Sequence, residues 1–400
     1  MVHDYSGHPF QVQLSRALAD RGHVVHHQYC PSYVSGHGDM RVRASDPPGL
    51  SITGIELRRP FARYRPVRRA LQELEYAVRA SREIRRPDPD VVVLCNVPLI
   101  ANFLLVVLLV ARRTRYVFWH QDVYSEAIQE SLRAKLPSPL ARLGGWIADG
   151  MERFVARRAR RVVAITEAFS DKYRQWRLPE HASVVIPNWA EIGEFTDVTP
   201  DTDWLAGEPV RPNVVLYSGT LGLKHDPGLL LDLARAPELV DCSVVVLSEG
   251  MGRQWLAERQ DSVEQGRLIL RDYVPFDRLP GILASADLLI SILEPAASRF
   301  SVPSKVLTYL CAGRPILAVM DPGNAAAKML SEYGAGIVAD PGARADVPRL
   351  VRGLLDDPAR RAAMGSSARE AAERLFDISR ITDRFEAVLR VASGTPDQKL

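Results

Sequence analysis

Two short clusters carry residue types that can do chemistry together. In the first, an apolar run from Leu288 to Leu293 ends in Glu294-Pro295, and Pro303-Ser304-Lys305 then opens a helical stretch that includes Thr308 and stops at Gly313. A carboxylate of this kind binds hydroxyl groups, while the amino end of a helix, with Ser304 and Lys305 in its first turn, suits an anion. The second cluster is Tyr217-Ser218-Gly219-Thr220-Leu221-Gly222-Leu223-Lys224-His225. There Gly219 and Gly222 let the backbone approach a ligand, and backbone amides with the Lys224 ammonium can meet a diphosphate. The pattern is neither GxxxxGK[ST] nor GxGxxG, and a lysine in such a turn is often merely solvated. Its weight comes from its pairing with Glu294 and Lys305 in the same half of the chain.

These side chains need elements that end in one place. Strand-like runs alternate with helical ones throughout: Val24–Gln28, Val91–Leu94, Tyr116–His120, Arg161–Ile165 and Val184–Ile186, then Val214–Ser218, Ser243–Leu247, Leu268–Leu270, Leu288–Leu293, Ile316–Met320 and Gly336–Val338. Helical patterns fall between them, among them Pro9–Asp20, Val67–Ile84, Ala101–Arg113 and Ile147–Arg158. Such alternation predicts βαβ units and parallel sheets, whose ligands bind outside the carboxyl ends of the strands. Trp189 to Pro212, rich in Asp, Glu, Pro and Gly, reads as a connection. The expected division is residues 1–195, a linker at 196–212, a second domain at 213–372, and a helix at 373–400 that returns to the first domain. Phe376, Ile378, Ile381, Phe385, Val388 and Leu389 give that helix one buried face. The first strand, ahead of Gly7, is either very short or already begun at Met1.

The 400 residues, 46% hydrophobic and 25% charged, suffice for two compact cores. A net charge of +3 is too mild to argue for nucleic acid. Cys30, Cys95, Cys242 and Cys311 have no paired spacing and read as small core hydrophobes of a reducing compartment. MVHDYSGHPF has no secretory leader, so the cytoplasm is the expected location. The most apolar stretch, Leu99–Ala111, is shorter than the roughly 20 residues of a spanning helix and reads as a buried core helix. Asp88-Pro-Asp90 and Asp201-Thr-Asp203 have DxD spacing, but one precedes a strand and the other lies in the linker. His3, His8, His26, His27 and His225 have no metal-ligand spacing, so neither metal nor cofactor is expected.

Ser218-Gly219-Thr220-Leu221-Gly222-Leu223-Lys224, Ser248-Glu249-Gly250-Met251-Gly252, Val274-Pro275-Phe276, Ala286-Asp287, Glu294-Pro295, Pro303-Ser304-Lys305, Tyr309 and Ala312-Gly313-Arg314-Pro315 follow one another in an order that resembles the nucleotide-sugar half of retaining GT-B glycosyltransferases of family 4. Pro303 to Leu310 resembles in particular the bacterial colanic-acid and O-antigen fucosamine-transferase type. Ile186-Pro187-Asn188 is similar to the family's interdomain signature, and Arg21-Gly22-His23-Val24 to its early helix-to-strand turn. The resemblance implies an α/β GT-B fold of two doubly wound Rossmann-like domains facing a central cleft. It also implies a hexosyl- or N-acetylaminosugar transferase that uses a nucleoside-diphosphate sugar, UDP-sugar favoured, and a lipid-linked or saccharide acceptor in bacterial surface polysaccharide synthesis. Gly219, Thr220, Gly222, Lys224, Gly250, Glu294, Ser304, Lys305 and Thr308 would bind the donor, with Lys224 the first choice and Lys305 the second for the charge developing on the leaving diphosphate. The chain departs from the family at Thr308, which stands where a second glutamate is usual; Val302 occupies the seven-residue spacing from Glu294.

On the acceptor side the resemblance points to His120 and Asp122, either of which can orient an acceptor hydroxyl or the transferred sugar. A satisfied structural histidine is the competing reading of His120. The turn at Gly7-His8, followed by Pro9 at a helix start, can admit an acceptor or serve only as a bend. Arg58 to Arg86 holds ten arginines against three glutamates, with Phe61, Tyr64, Val67, Leu71 and Leu74 interleaved. That composition suits an anionic membrane surface, making the protein peripheral on the inner face of the cell membrane, or else a solvated helix face. Two other functions share the architecture: a non-hydrolysing nucleotide-sugar epimerase, and a non-catalytic nucleotide-sugar-binding subunit.

Overall fold

A computed structural model describes residues 1–33, 38–59, 61, 66–84, 88–222, 225–295 and 302–394. The chain divides into two units, residues 1–188 with 377–400, and residues 189–376. The first holds β1 (Val2–Asp4), α1 (Pro9–Asp20), β2 (Val25–Tyr29), β3 (Leu50–Gly54), α2 (Pro66–Glu83), β4 (Val92–Cys95), α3 (Leu99–Ala111), β5 (Tyr116–His120), α4 (Tyr124–Arg133), α5 (Ser138–Arg158), β6 (Arg161–Ala164), α6 (Ser170–Gln175) and β7 (Ser183–Val185). The second holds β8 (Asn213–Ser218), α7 (Pro227–Arg235), β9 (Cys242–Leu247), α8 (Met251–Ala257), β10 (Leu268–Arg271), α9 (Leu279–Ser285), β11 (Leu288–Ile292), α10 (Ser304–Cys311), β12 (Ile316–Val319), α11 (Ala325–Tyr333), β13 (Gly336–Ala339), α12 (Val347–Leu355) and α13 (Pro358–Leu375). The chain then returns to the first unit as α14 (Ile378–Ser393).

Both sheets are parallel throughout, in the orders β3-β2-β1-β4-β5-β6-β7 and β10-β9-β8-β11-β12-β13. Helix layers cover both faces of such sheets, so the central strands read as unbroken apolar runs: β4 and β9 are buried along their whole length. In each sheet the chain reverses direction once, between β1 and β4 and between β8 and β11. The crevice at the carboxyl ends of such a strand pair is where a doubly wound sheet accepts ligands.

The first strand is three residues long, Val2–Asp4, and is paired on both sides, with β2 and β4. The segment expected to be a linker belongs to the second unit: Trp189, Phe195, Trp204 and Leu205 are buried, and Trp204 donates its indole N–H to Ser285 Oγ at 3.1 Å. Its Pro, Gly and acidic content marks short 3-10 turns rather than a free tether. α5 starts at Ser138, ahead of the expected Ile147. Gly144-Gly145 interrupt its periodicity because α4 packs closely there; a Cβ on Gly144 would stand 2.5 Å from Leu132 Cδ1, and one on Gly145 2.9 Å from Gln129 Cγ. α3 is not wholly buried: Val107 and Val110 on its outer face are exposed. α14 buries Ile381, Phe385, Val388 and Ala392, a helical stripe, and sets Phe385 against Trp119 with ring centroids 4.6 Å apart. Asp377 caps its start, accepting from Ser379 N at 2.8 Å.

Candidate functional site

In the second unit, two glycine-bearing turns and the start of α10 gather at the β8/β11 reversal. β8 ends at Ser218, and Gly219 takes φ +118, a conformation that disfavours any side chain. Its amide donates to Leu247 O at 3.0 Å, and Leu221 N donates to Glu249 O at 3.1 Å, so the turn is tied to the end of β9. The turn after β9 fits against it: Gly250 has φ +105, and a Cβ on Gly252 would lie 2.5 Å from Leu221 Cγ. Two glycine-bearing turns therefore stack at the end of the sheet because neither can carry a side chain there.

α10 delivers the cation. Lys305, in its first turn, hydrogen-bonds Tyr217 Oη and lies 3.7 Å from the centre of the Tyr217 ring. Its side chain crosses the turn so closely that a Cβ on Gly219 would be 3.3 Å from Lys305 Cε. Tyr217 Oη in turn donates to Thr220 O at 3.0 Å. Tyr309, on the same helix, is buried; its hydroxyl accepts from Ser218 N at 2.8 Å and donates to Ser218 O at 3.1 Å, pinning α10 to the end of β8. Burial holds the Tyr309 hydroxyl well above the ordinary tyrosine range, so it remains a donor at neutral pH. Thr220 Oγ1 meets Tyr273 Oη at 2.8 Å. Glu294 follows β11 at this same end and is half-buried. Ser304 is exposed at the start of α10. Thr308 Oγ1 turns back to Ser304 O, 3.4 Å away and one helical turn earlier. Gly222 N donates to His225 Nδ1 at 3.1 Å, and His225 is buried beside Tyr217. Lys224, the first-choice cation, lies outside the described residues, as do Tyr64 and Arg63, Arg65, Arg85 and Arg86 of the basic stretch. The structure thus brings Gly219, Thr220, Gly250 and Lys305 together.

In the first unit, Gly7 has φ +66, and Asp4 lies beneath its turn. The buried Asp4 carboxyl group accepts from Ser6 N at 3.1 Å and from the backbone of Gly7 and His8. His8 stacks on Phe10 at 5.8 Å. His120, at the end of β5, is 1% exposed. Its Nδ1 meets Tyr173 Oη at 3.0 Å and its Nε2 meets Glu152 Oε1 at 3.3 Å. Glu152 also accepts from Tyr124 N at 2.8 Å and Ser125 N at 3.0 Å, so the pair secures the start of α4. An imidazole enclosed by Phe118, Phe169 and Trp176 with both nitrogens engaged fits the structural reading of His120. Asp122, two residues on, is exposed.

Sequence reasoning gave no role to Asp4, Glu152, Tyr217, His225 or Tyr309. Tyr217 and His225 bounded the second cluster and Tyr309 stood among the motifs of the resemblance, and Asp4 carried a signal of its own, a carboxylate at the end of a strand immediately before a glycine turn. Among the described residues no group of three or more His, Cys, Asp or Glu converges as a metal-holding set, and no helix is long and apolar enough to cross a membrane.

Residues 8–189 match the model of the glycosyl transferase 4-like domain. Among solved structures, sucrose-phosphate synthase from Thermosynechococcus elongatus superposes with a TM-score of 0.73 at 14% identity, covering 99% of each chain. HepE from Anabaena, in complex with UDP-glucose, gives 0.68 at 16% identity over 97% of this chain and 98% of its own. A glycosyltransferase from Rickettsia africae gives 0.62 at 12% identity over 96% and 94%. At these identities the likeness establishes the fold, two Rossmann-like units in one chain. No curated protein matches the sequence.

Proposed function

We propose that this enzyme, of the glycosyltransferase class by its amino-terminal domain, moves a sugar from a nucleoside-diphosphate sugar to a lipid-linked or saccharide acceptor in bacterial surface polysaccharide synthesis. One observation carries the reading: an ammonium group laid over a glycine turn at the reversal point of the second sheet. A diphosphate on that turn would meet Lys305 from the side, while the amides of Gly219, Leu221 and Gly222 stay bound within the protein and hold the turn in shape. As the bond from the anomeric carbon to the departing oxygen breaks, negative charge grows on the diphosphate, and a fixed cation stabilises it more than it stabilises the ground state. Glu294, at the adjoining strand end, is assigned to donor hydroxyls. Thr308 offers a hydroxyl where a carboxylate would accept more strongly, and that hydroxyl already donates to its own helix at Ser304 O. A UDP-sugar is favoured as donor, in keeping with the UDP-glucose bound by HepE. Retention at the anomeric carbon, kinship to the colanic-acid and fucosamine-transferase type, and lysines in place of a divalent ion belong to the same proposal.

A thermal-shift panel of nucleoside diphosphates and their sugars, followed by assay of nucleotide release, tests it. Stabilisation by one nucleotide sugar and its slow hydrolysis to the nucleoside diphosphate are expected. Conversion of the donor to an isomeric nucleotide sugar without release would instead identify an epimerase. Binding with no release, with or without saccharide and lipid-linked acceptors, would identify a binding subunit.

A further inference from the structure

Three neighbouring helices of the first unit present apolar faces to solvent. The β3-to-β4, β4-to-β5 and β5-to-β6 crossovers run across the sheet in the direction opposite to β1-to-β2, so right-handed connections place α2, α3 and α5 in one layer, away from α1. α3 is the middle helix, packed against both others, with Phe103 meeting Phe154 of α5 at 5.3 Å between ring centroids. A helix that covers a sheet ordinarily turns charged residues outward. α3 has none in Leu99–Ala111, and Val107 and Val110 are exposed. On α2, the inner face buries Tyr76, Ala77 and Ala80, while Val67, Leu71, Leu74 and Val78 form a second, outer stripe at i, i+4, i+7 and i+11, with Val67 75% and Leu71 63% exposed. Leu136, just ahead of α5, with Leu140, Leu143 and Ile147 in its first half, repeats that spacing, and Trp146 beside them is 71% exposed.

The exposed charges around this face are mostly basic. Arg82 continues the α2 stripe one turn on, Arg112 and Arg113 close α3, and Arg142, Arg153, Arg157 and Arg158 line α5, all exposed. The acids of these helices are largely turned to internal duties: Glu73 pairs with Arg69, Glu75 with Arg79, Asp149 with Lys172, and Glu152 with His120. Glu83 is the exposed acid of α2.

We infer that the outer face of α2, α3 and α5 docks on an anionic lipid bilayer. Leucine and valine side chains with a tryptophan at their edge suit the headgroup boundary, and arginines around them suit anionic lipid. A second copy of the chain fits less well, because a two-fold interface through this face would set the arginines of one copy against those of the other. The surface is centred on the three helices and their apolar stripes rather than on the arginines of 58–69 alone. It rests on the proposed function only for its use, which is to bring the enzyme to a lipid-linked acceptor.

The full chain, without substrate, is sedimented with vesicles of phosphatidylcholine alone or with about a third phosphatidylglycerol, at low and high salt. Binding to the anionic vesicles at low salt, reduced severalfold by high salt, is expected. The variant L71S/L74S/L143S/W146S should bind at least tenfold more weakly, and R82Q/R142Q/R153Q should lose severalfold of the preference for anionic over neutral vesicles. Because every altered side chain is exposed, melting curves should be unchanged. Wild-type protein that stays in the supernatant at low salt, or an apolar variant that binds like wild type, would overturn the inference. So would a wild-type dimer that ignores vesicles and that the apolar variant converts to monomer. Vesicle binding is read without turnover, so its failure leaves sugar transfer standing and the failure of transfer leaves the docking face standing.

Discussion

Replacing Lys305 by methionine removes one charge and keeps most of the side chain's bulk. The ammonium lies 3.7 Å from the Tyr217 ring centre, over Gly219. A diphosphate on that turn would sit roughly 5 Å from it, where an effective dielectric of about 20 gives about 3 kcal/mol between unit charges. Lys305 is half-buried, so solvent screening lowers this to about 1.5 to 3 kcal/mol, a roughly 10- to 150-fold loss of rate. The fold should survive, because Tyr217 Oη still donates to Thr220 O and Tyr309 still pins α10 to Ser218. The assay is nucleoside-diphosphate release from the donor selected by thermal shift, with melting temperature as the control. If the charge acts on the transition state, kcat and kcat/KM fall together, and Lys305→Arg recovers part of both. Values of kcat and kcat/KM within twofold of wild type, in a Lys305→Met protein that melts normally, would refute the placement of the leaving group over Gly219.

Lys224→Ala should lower turnover at least about tenfold with the fold intact, and EDTA should leave turnover unchanged; loss of activity restored by Mg²⁺ or Mn²⁺ would contradict a lysine-based leaving-group site. Glu152→Ala leaves Tyr124 N, Ser125 N and His120 without their acceptor, so urea denaturation should show a loss of about 3 kcal/mol; an unchanged midpoint would remove the structural role given to His120. Burial pushes the Asp4 carboxyl up to about 8, so the folded protein keeps a proton that the unfolded chain gives up near pH 4, and this stability is lost as pH rises through 8. His3 and His27, pushed down to about 4 and about 3 by burial, affect stability below about pH 6.5, and the Met1 amine, pushed down to about 6, opposes Asp4 in the same upper window. The measurement is therefore the stability of wild type minus that of Asp4→Asn, which should fall by about 1 kcal/mol per unit between pH 6.5 and 8; a flat or rising difference would show that Asp4 is ionised in the folded protein.

Local pattern was enough for the parallel sheets. β5, Tyr116–His120, and α1, Pro9–Asp20, stand where alternation and Pro9 put them, because runs of branched apolar residues and a proline at a helix start act over a few residues. Gly219 was visible as a turn-former for the same reason. β3 escaped notice: Leu50–Gly54 is an edge strand with one polar-facing side and too few apolar residues to stand out. α5 was cut short because Gly144-Gly145 look like a break when only their own chain is considered, whereas α4 packed against them makes them necessary.

What the sequence determined by itself was the alternation of elements, the strand ends that carry Gly219 and Glu294, and the supply of lysines and arginines. Tertiary structure alone decided which of these meet. Lys305 rests on Tyr217 across 88 residues because Tyr309 fastens α10 to β8. His120, exposed or buried by its own sequence alike, is enclosed because α5 brings Glu152 and α6 brings Tyr173 against it. The apolar stripe of α2 is a property of its sequence, but a helix can carry two such stripes, and only the packing of Tyr76 and Ala80 inward leaves Leu71 and Leu74 facing out. Backbone preference and periodicity act between near neighbours along the chain, while burial and pairing depend on what the fold places opposite each residue.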